Sequence, residues 1–229
     1  MYNRKIKEWN KSYKNRDNFV FYPHEDIVRF ISKYIKKRVG LNEFINKSGF
    51  DVVRVLDIGC GIGRHIKVLD EFNFEAYGFD LSDVAISIAK SMFKEMQLTH
   101  LIDKVIVADI TDLPYEDKYF HFMLSHGVLD SMPFNIARRG IKELHRCLHD
   151  KGKVYFDLIS DIDHTFDGNY EKEVKGDHEN GTIQSYFNED RINKLIEDFF
   201  EIEEIKLSVK KDIKNNIQFA RYHVVARKI

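Results

Sequence analysis

The sequence predicts an α/β fold: one doubly wound sheet of about seven strands, mostly parallel, with an antiparallel strand pair at the C-terminus. Three observations predict it. From residue 52 onward, short runs rich in β-branched and aromatic residues alternate with helical patterns of 10–15 residues, the spacing of βαβ units. Three glycines, Gly59, Gly61 and Gly63, fall where the first of these strands gives way to a helix. The last two strand-like runs, 201–208 and 218–227, lie close enough in sequence to pair antiparallel.

The elements follow in order. Residues 1–50 read as a helical cap region. A short helix spans Ile6 to Tyr13 and is interrupted by the polar run at 15–18. A second, His24 to Arg38, places Ile27, Phe30, Ile31, Tyr34 and Ile35 on one face, with Pro23 and Gly40 as boundary signals. Val52 to Ile58 is a buried strand, followed by the glycine turn and a helix from about Gly63. Strands end at Asp80 and Asp109, and between them residues 83–96 form a helix with Val84, Ile88, Met92 and Met96 on one face. A strand at 119–125, a helix at 135–149 and a strand at 152–159 complete the repeating part. Residues 160–185 break the pattern and read as an insertion or flap over the acceptor side of the site. A helix near 189–199 precedes the final strands, and no boundary for a second domain stands out within 1–229.

Composition narrows the function classes. The chain has 229 residues, 36 Lys and Arg against 37 Asp and Glu, and a formal net charge of −1. A protein that grips nucleic acid through its phosphates carries a basic surplus, so this balance disfavours such a partner. Charge is nonetheless uneven: residues 1–54 hold 13 basic and 6 acidic residues, and residues 157–180 hold 8 acidic residues and 2 lysines. Either segment reads as a solvated face or as a cover over a site. Cys60 and Cys147 are too few for a disulfide framework or a cysteine metal centre, which suits a reducing cytoplasm. No run of about 18 apolar residues is present to span a membrane.

The run VLDIGCGIGRH, Val55 to His65, is the most informative. Glycines between a strand and a helix turn the chain tightly and let a ligand approach backbone N–H groups. Asp80 ends the next strand, 17 residues beyond Gly63, where a carboxylate can accept from both ribose hydroxyls. Asp109 ends the third strand within reach of an adenine amino group, and Asp57 sits at the first strand–turn junction, where a charged amino-acid moiety would lie. Each aspartate alone could instead cap a helix or a turn. NAD fits less well, because the third glycine comes one position early for GxGxxG and Arg64 stands in the later place. No GKS or GKT follows for a phosphate loop.

VLDIGCGIG resembles the first motif of class I S-adenosylmethionine-dependent methyltransferases, a Rossmann-like family. FD at 79–80 is similar to the acidic end of that family's second strand, and VADITDLPYEDKYFHFMLSHGVLDSM, Val107 to Met132, resembles its adenine turn, fourth strand and following loop. LHRCLHDKGKVYFDL, Leu144 to Leu158, is similar to the next helix, glycine turn and fifth strand. The likeness covers residues 50–159 in motif order. It implies S-adenosyl-L-methionine as cofactor, held by Asp57, Gly59, Gly61, Gly63, Asp80, Leu81, Asp109, Ile110 and Ser125, with Ser125 and His126 near the transferable methyl. One departure follows Val128-Leu129, where many small-metabolite relatives have Glu-His and this chain has Asp130-Ser131.

Methyl transfer needs an aligned nucleophile and a dry site, and a hydroxyl acceptor also benefits from a base. His126 is the candidate base, with a hydrogen-bonded loop histidine as the plain alternative; His164 and His178 are weaker candidates. Asp130 could orient a histidine or cap a helix. His145 and His149 share a helix face but lack a zincin pattern, and no metal is expected. The expected activity is methylation of an oxygen or nitrogen on a small metabolite. A nucleic-acid or protein methyltransferase, or a non-catalytic adenosyl-ligand-binding protein, is the alternative.

Overall fold

The computed structural model describes residues 2–175 and 179–229, and His178 lies outside the described residues. Helix α1 (Tyr2–Lys14) is followed by α2 (Glu25–Phe30), which runs into a π-helical turn, Ile31–Ile35. A small hairpin of β1 (Lys36–Arg38) and β2 (Phe44–Asn46) leads to the main sheet. The repeating part comprises β3 (Arg54–Ile58), α3 (Arg64–Glu71), β4 (Glu75–Asp80), α4 (Asp83–Glu95), β5 (Val105–Val107), β6 (Phe120–Ser125), α5 (Phe134–Cys147) and β7 (Leu148–Ile159). After it come a second small hairpin, β8 (Glu171–Glu173) with β9 (Ile183–Ser185), then α6 (Glu189–Ile196), β10 (Phe200–Asp212) and β11 (Ile217–Lys228).

The seven-stranded sheet runs β10-β11-β7-β6-β3-β4-β5. Strands β5, β4, β3, β6 and β7 are parallel, while β11 pairs antiparallel with both β7 and β10. Chain direction across the sheet reverses between β3 and β6, the switch point where such sheets open a crevice at their carboxyl edge. The short strands are apolar almost throughout because both faces are covered. One face, with Leu56, Ile58 and Met123, packs under α5 and α6 through Ile141, Leu144, Ile192 and Leu195. The other, with Val55, Phe122 and Leu124, packs under α2, α3 and α4 through Ile27, Phe30, Ile66, Leu69, Ile86 and Phe93.

Three local expectations change. The helix expected over His24 to Arg38 ends early. Ile27, Phe30, Ile31 and Ile35 are buried as expected, but Lys36–Arg38 form β1, with the Lys36 ammonium donating to the Phe72 carbonyl. The helix expected to reach residue 149 stops at Cys147, so His149 lies in β7 and does not share a helix face with His145. On α4 the buried stripe is Ala85, Ile86, Ala89 and Phe93, whereas Val84, Ile88 and Met92 pack beside Trp9 and Tyr13 of α1. The helix is apolar on two faces because it is held between the sheet and α1, and Met96, beyond the end of α1's cover, is exposed.

Gly63 precedes α3 at φ +85°, and a β-carbon there would stand 2.5 Å from the ring of Phe93, itself 1% exposed. Left-handed backbone and overpacking together should make Gly63→Ala destabilising by about 3–4 kcal/mol. At Gly49, φ +74° with open space around it, alanine should cost only about 1–2 kcal/mol. Denaturant midpoints of the two variants check this, and equal losses would refute the packing at Phe93.

Candidate active site

Sheet order places the chemically active strand ends in a row. Asp109 lies beyond β5, Asp80 ends β4, Gly59 and Gly61 follow β3, His126 follows β6, and Asp157 lies near the end of β7. A cavity of about 740 Å³ opens over this edge, lined by Gly59, Gly61, Asp80, Leu81, Asp109, Ile110 and His126. That volume is within the range of small-ligand sites. Two further segments line it from above: Lys5, Trp9 and Tyr13, one face of α1, and Glu179, Gly181 and Thr182 between β8 and β9, with Ile183 at the start of β9.

Local geometry explains the floor. Gly61 has φ +53°, and a β-carbon there would stand 2.7 Å from the Tyr13 hydroxyl, so α1 can lie directly on the turn. The Gly61 N–H donates to Asp80 Oδ2 at 2.9 Å, and the Ser82 N–H donates to Oδ1 at 2.8 Å. Burial raises the Asp80 carboxyl to about 6, against the lowering effect of those two N–H donors. Asp109 Oδ1 accepts from the backbone and hydroxyl of Thr111, both at 2.8 Å, in a local turn. Burial lowers the Lys5 ammonium, which Asp109 and Asp80 pull the other way. Burial raises the Tyr13 phenol well above its ordinary value, with Asp80 adding to the effect.

Three of the expected cofactor residues stand beneath the cavity instead of on its wall. Asp57, 1% exposed, faces His65 Nδ1 at 3.3 Å, and its Oδ2 has no hydrogen-bond partner. Gly63 packs on Phe93, and the inaccessible Ser125 hydroxyl has no partner. His164 is hydrogen-bonded to the Gln218 carbonyl and does not line the cavity.

His126 sits in a buried polar chain that sequence reading did not assemble. Arg64 Nη2 lies 3.3 Å from its Nδ1, and its Nε2 is 3.5 Å from Asp157 Oδ2, too poorly aligned for a hydrogen bond. The His24 ring lies against it, tilted by 39°, with centroids 3.9 Å apart. Asp157 accepts from the Gly127 N–H at 2.7 Å and from Arg221 Nε at 2.8 Å. Arg221 also donates to Asp130 at 2.6 Å, and Asp130 accepts from the Ile159 N–H at 2.9 Å, so Asp130 ties strand to loop and caps no helix. Burial drives the His126 imidazole down to about 3, with Asp157 opposing and His24, Arg221 and Arg64 reinforcing. Asp157 shared a recognisable signal, an acid near a strand end; Arg221 had none. Among the described residues no group of three or more His, Cys, Asp or Glu side chains is arranged to hold a metal.

Residues 56–156 match the family model of the methyltransferase domain. The uncharacterized protein MJ1252 of Methanocaldococcus jannaschii is 28% identical over 92% of this chain and 73% of its own length. A putative 23S rRNA (guanine-N(1)-)-methyltransferase of Bacillus subtilis is 32% identical over 47% of this chain, which spans only 34% of that protein. Among solved structures, a SAM-dependent methyltransferase of Methanosarcina mazei superposes with a TM-score of 0.65 at 20% identity, covering 79% of this chain and 94% of that one. The chain has the class I methyltransferase fold, and the matched methyltransferase domain spans residues 56–156 of its 229. The site fits S-adenosylmethionine as a ligand: the turn at Gly61 carries no side chain into the cavity, and each Asp80 oxygen accepts one backbone N–H and keeps a lone pair for a further donor.

No helix among the described residues is long and apolar enough to cross a membrane.

Arg221 neutralises two carboxylates that are at most 1% exposed, while 28% of its own side chain remains accessible. Arg221→Met should therefore cost about 3 kcal/mol, the lower end for stranding a buried partner. Adding Asp130→Asn should recover part of the loss in chemical denaturation; an Arg221→Met variant as stable as the parent would refute the pairing.

Proposed function

We propose that the chain is an S-adenosylmethionine-dependent methyltransferase that acts on an oxygen or nitrogen of a small metabolite. The observation that carries the reading is the cavity itself: the strand ends form its floor, and α1 and residues 179–183 of the same chain line it from above. Such enclosure suits an acceptor that enters whole, and a formal charge of −1 offers little general attraction to a polyanion. The buried free thiols Cys60 and Cys147 suit a reducing cytoplasm.

S-adenosylmethionine brings an electrophilic methyl group on a sulfonium; the chain's residues align, desolvate and handle the proton. In this proposal Asp80 accepts from the ribose hydroxyls, Leu81 and Ile110 flank the adenine, and Asp109 accepts from its amino group. Gly59 and Gly61 admit the ligand to the backbone. Asp57, Gly63 and Ser125 act from below, shaping the turn and the start of α3. The α1 face and the 160–185 insertion serve as covers that exclude water from the acceptor. For a hydroxyl acceptor, His126 takes the proton at Nδ1, the nitrogen on which Arg64 now donates. Burial disfavours the imidazolium, so this role needs Arg64 to move off Nδ1 and relies on the Asp157 carboxylate beside Nε2 to favour the charge that forms. A neutral amine would need only alignment.

Purified protein with labelled cofactor should methylate a component of a small-metabolite pool, and labelling of RNA or protein alone would overturn the acceptor class. Asp80→Ala should weaken S-adenosylhomocysteine binding by about 1–3 kcal/mol in calorimetry. Ribose donors favour the ionised carboxylate, so affinity should fall as pH drops through about 6 and stay level above 7. A pH-independent affinity would remove Asp80 from the ribose. His126→Gln should slow single-turnover transfer to a hydroxyl by about 100-fold with little change in cofactor affinity; a native rate would remove the base role.

A further inference from the structure

Arg64 has a partner set that matches no structural role. Its guanidinium lines the cavity, and its polar neighbours are neutral: His126 Nδ1 at 3.3 Å and the Tyr22 carbonyl at 3.5 Å. Among the described residues no carboxylate is paired with it, in contrast to Arg29, Arg138, Arg146, Arg191, Arg221 and Arg227, each held by an acid. Arginine only donates, so Nδ1 of His126 is an acceptor and the ring proton of the neutral imidazole resides on Nε2. That nitrogen is inaccessible and faces Asp157 Oδ2 at 3.5 Å, a carboxylate fixed by Gly127 and Arg221. The order of strand ends gives this arrangement a direction. A ligand with adenine at Asp109 and ribose at Asp80 runs across β4 and β3 toward β6, and its amino-acid end falls where Arg64 and His126 stand.

We propose that Asp157 and His126 are positioning residues that together aim the Arg64 guanidinium at the carboxylate of the cofactor's amino-acid moiety. The inference rests on the cofactor orientation proposed above. Donation from Arg64 sets the imidazole tautomer, and the Asp157 carboxylate faces the resulting Nε2–H; the imidazole, as a neutral acceptor, holds the guanidinium at the cavity without satisfying its charge. An arriving carboxylate forms the stronger charge-assisted bond and draws Arg64 away from Nδ1. Binding of the cofactor thereby leaves Nδ1 open toward the acceptor.

The test compares S-adenosylhomocysteine with 5′-methylthioadenosine, which has the nucleoside but no amino acid. Arg64→Met should lower affinity for the first by about 10–100-fold and leave the second unchanged. His126→Leu, which cannot accept from Arg64, should lower it by about 3–10-fold, whereas His126→Gln, which keeps an acceptor and a donor, should preserve it. Nitrogen shifts of the His126 ring in the unsubstituted protein should report the Nε2–H tautomer, a readout independent of any variant's folding. An Nδ1–H tautomer, equal losses for both ligands, or an effect of Arg64→Met confined to the acceptor's KM would overturn the proposal. Failure of the unsubstituted protein to bind either nucleoside would instead strike the cofactor orientation on which it rests.

Discussion

The organisation of the site hangs on one half-buried cation between two buried anions. Arg221 stands on β11, opposite Ile159 of β7, and reaches both Asp157 on β7 and Asp130 in the loop after β6. In a low-dielectric interior two carboxylates side by side would repel strongly, and the guanidinium makes their proximity tolerable. Coupling leaves the two acids unlike: burial pushes both up, yet Asp157 ends below its ordinary value, helped by Arg221 and His126, while Asp130 stays above. A well-packed apolar cluster could stabilise the same volume as well. What the charges add is position, because each carboxylate also accepts a backbone N–H, from Gly127 and from Ile159.

The loop from His126 to Pro133 is therefore fixed at its start by Asp157 and in its middle by Asp130. The Asp130 carbonyl in turn accepts from the Ser185 N–H at 2.7 Å, and the Ser185 hydroxyl donates to the Met132 carbonyl at 2.6 Å. The end of the insertion is thus pinned to the same loop that carries the site's imidazole. Glu179 to Ile183, which line the cavity, lie only a few residues from that anchor. On the opposite side α1 is held more lightly. Asn10 accepts from Ser82 and donates to Asp83, and Trp9 and Tyr13 rest on α4. Among the described residues these polar ties are few, and few ties with a lateral apolar contact are the features expected of an element that opens at low cost.

Much of this was legible in the sequence. The parallel strands, the glycine turn and the acids at Asp80 and Asp109 are local signals: each depends on residue types within a few positions and on a strand–turn–helix alternation that sequence displays directly. The antiparallel end of the sheet followed from the short interval between the last two strands. Where the reading went astray, a distant element intervened. Val84, Ile88 and Met92 were legible as one apolar face of α4, but periodicity cannot say that this face meets α1 while a second stripe packs on the sheet. Lys36–Arg38 left the helix for a hairpin with Phe44–Asn46, and β7 began at Leu148, removing His149 from the helix that held His145.

The sequence by itself determined the fold class and the placing of the glycines and acids at successive strand ends, because backbone hydrogen bonding and side-chain periodicity are short-range constraints. Only the tertiary structure decided what surrounds His126. Its chain of contacts joins Arg64, Asp157 and Arg221 over sequence separations of 62 and 64 residues, Asp57 holds His65 beneath it, and the tautomer of the ring is set by which neighbours can donate. Such an arrangement has no periodicity to read; it exists because folding brings three strand ends and a helix start to one buried place, where each charge must find its partner or stay unpaired at high cost.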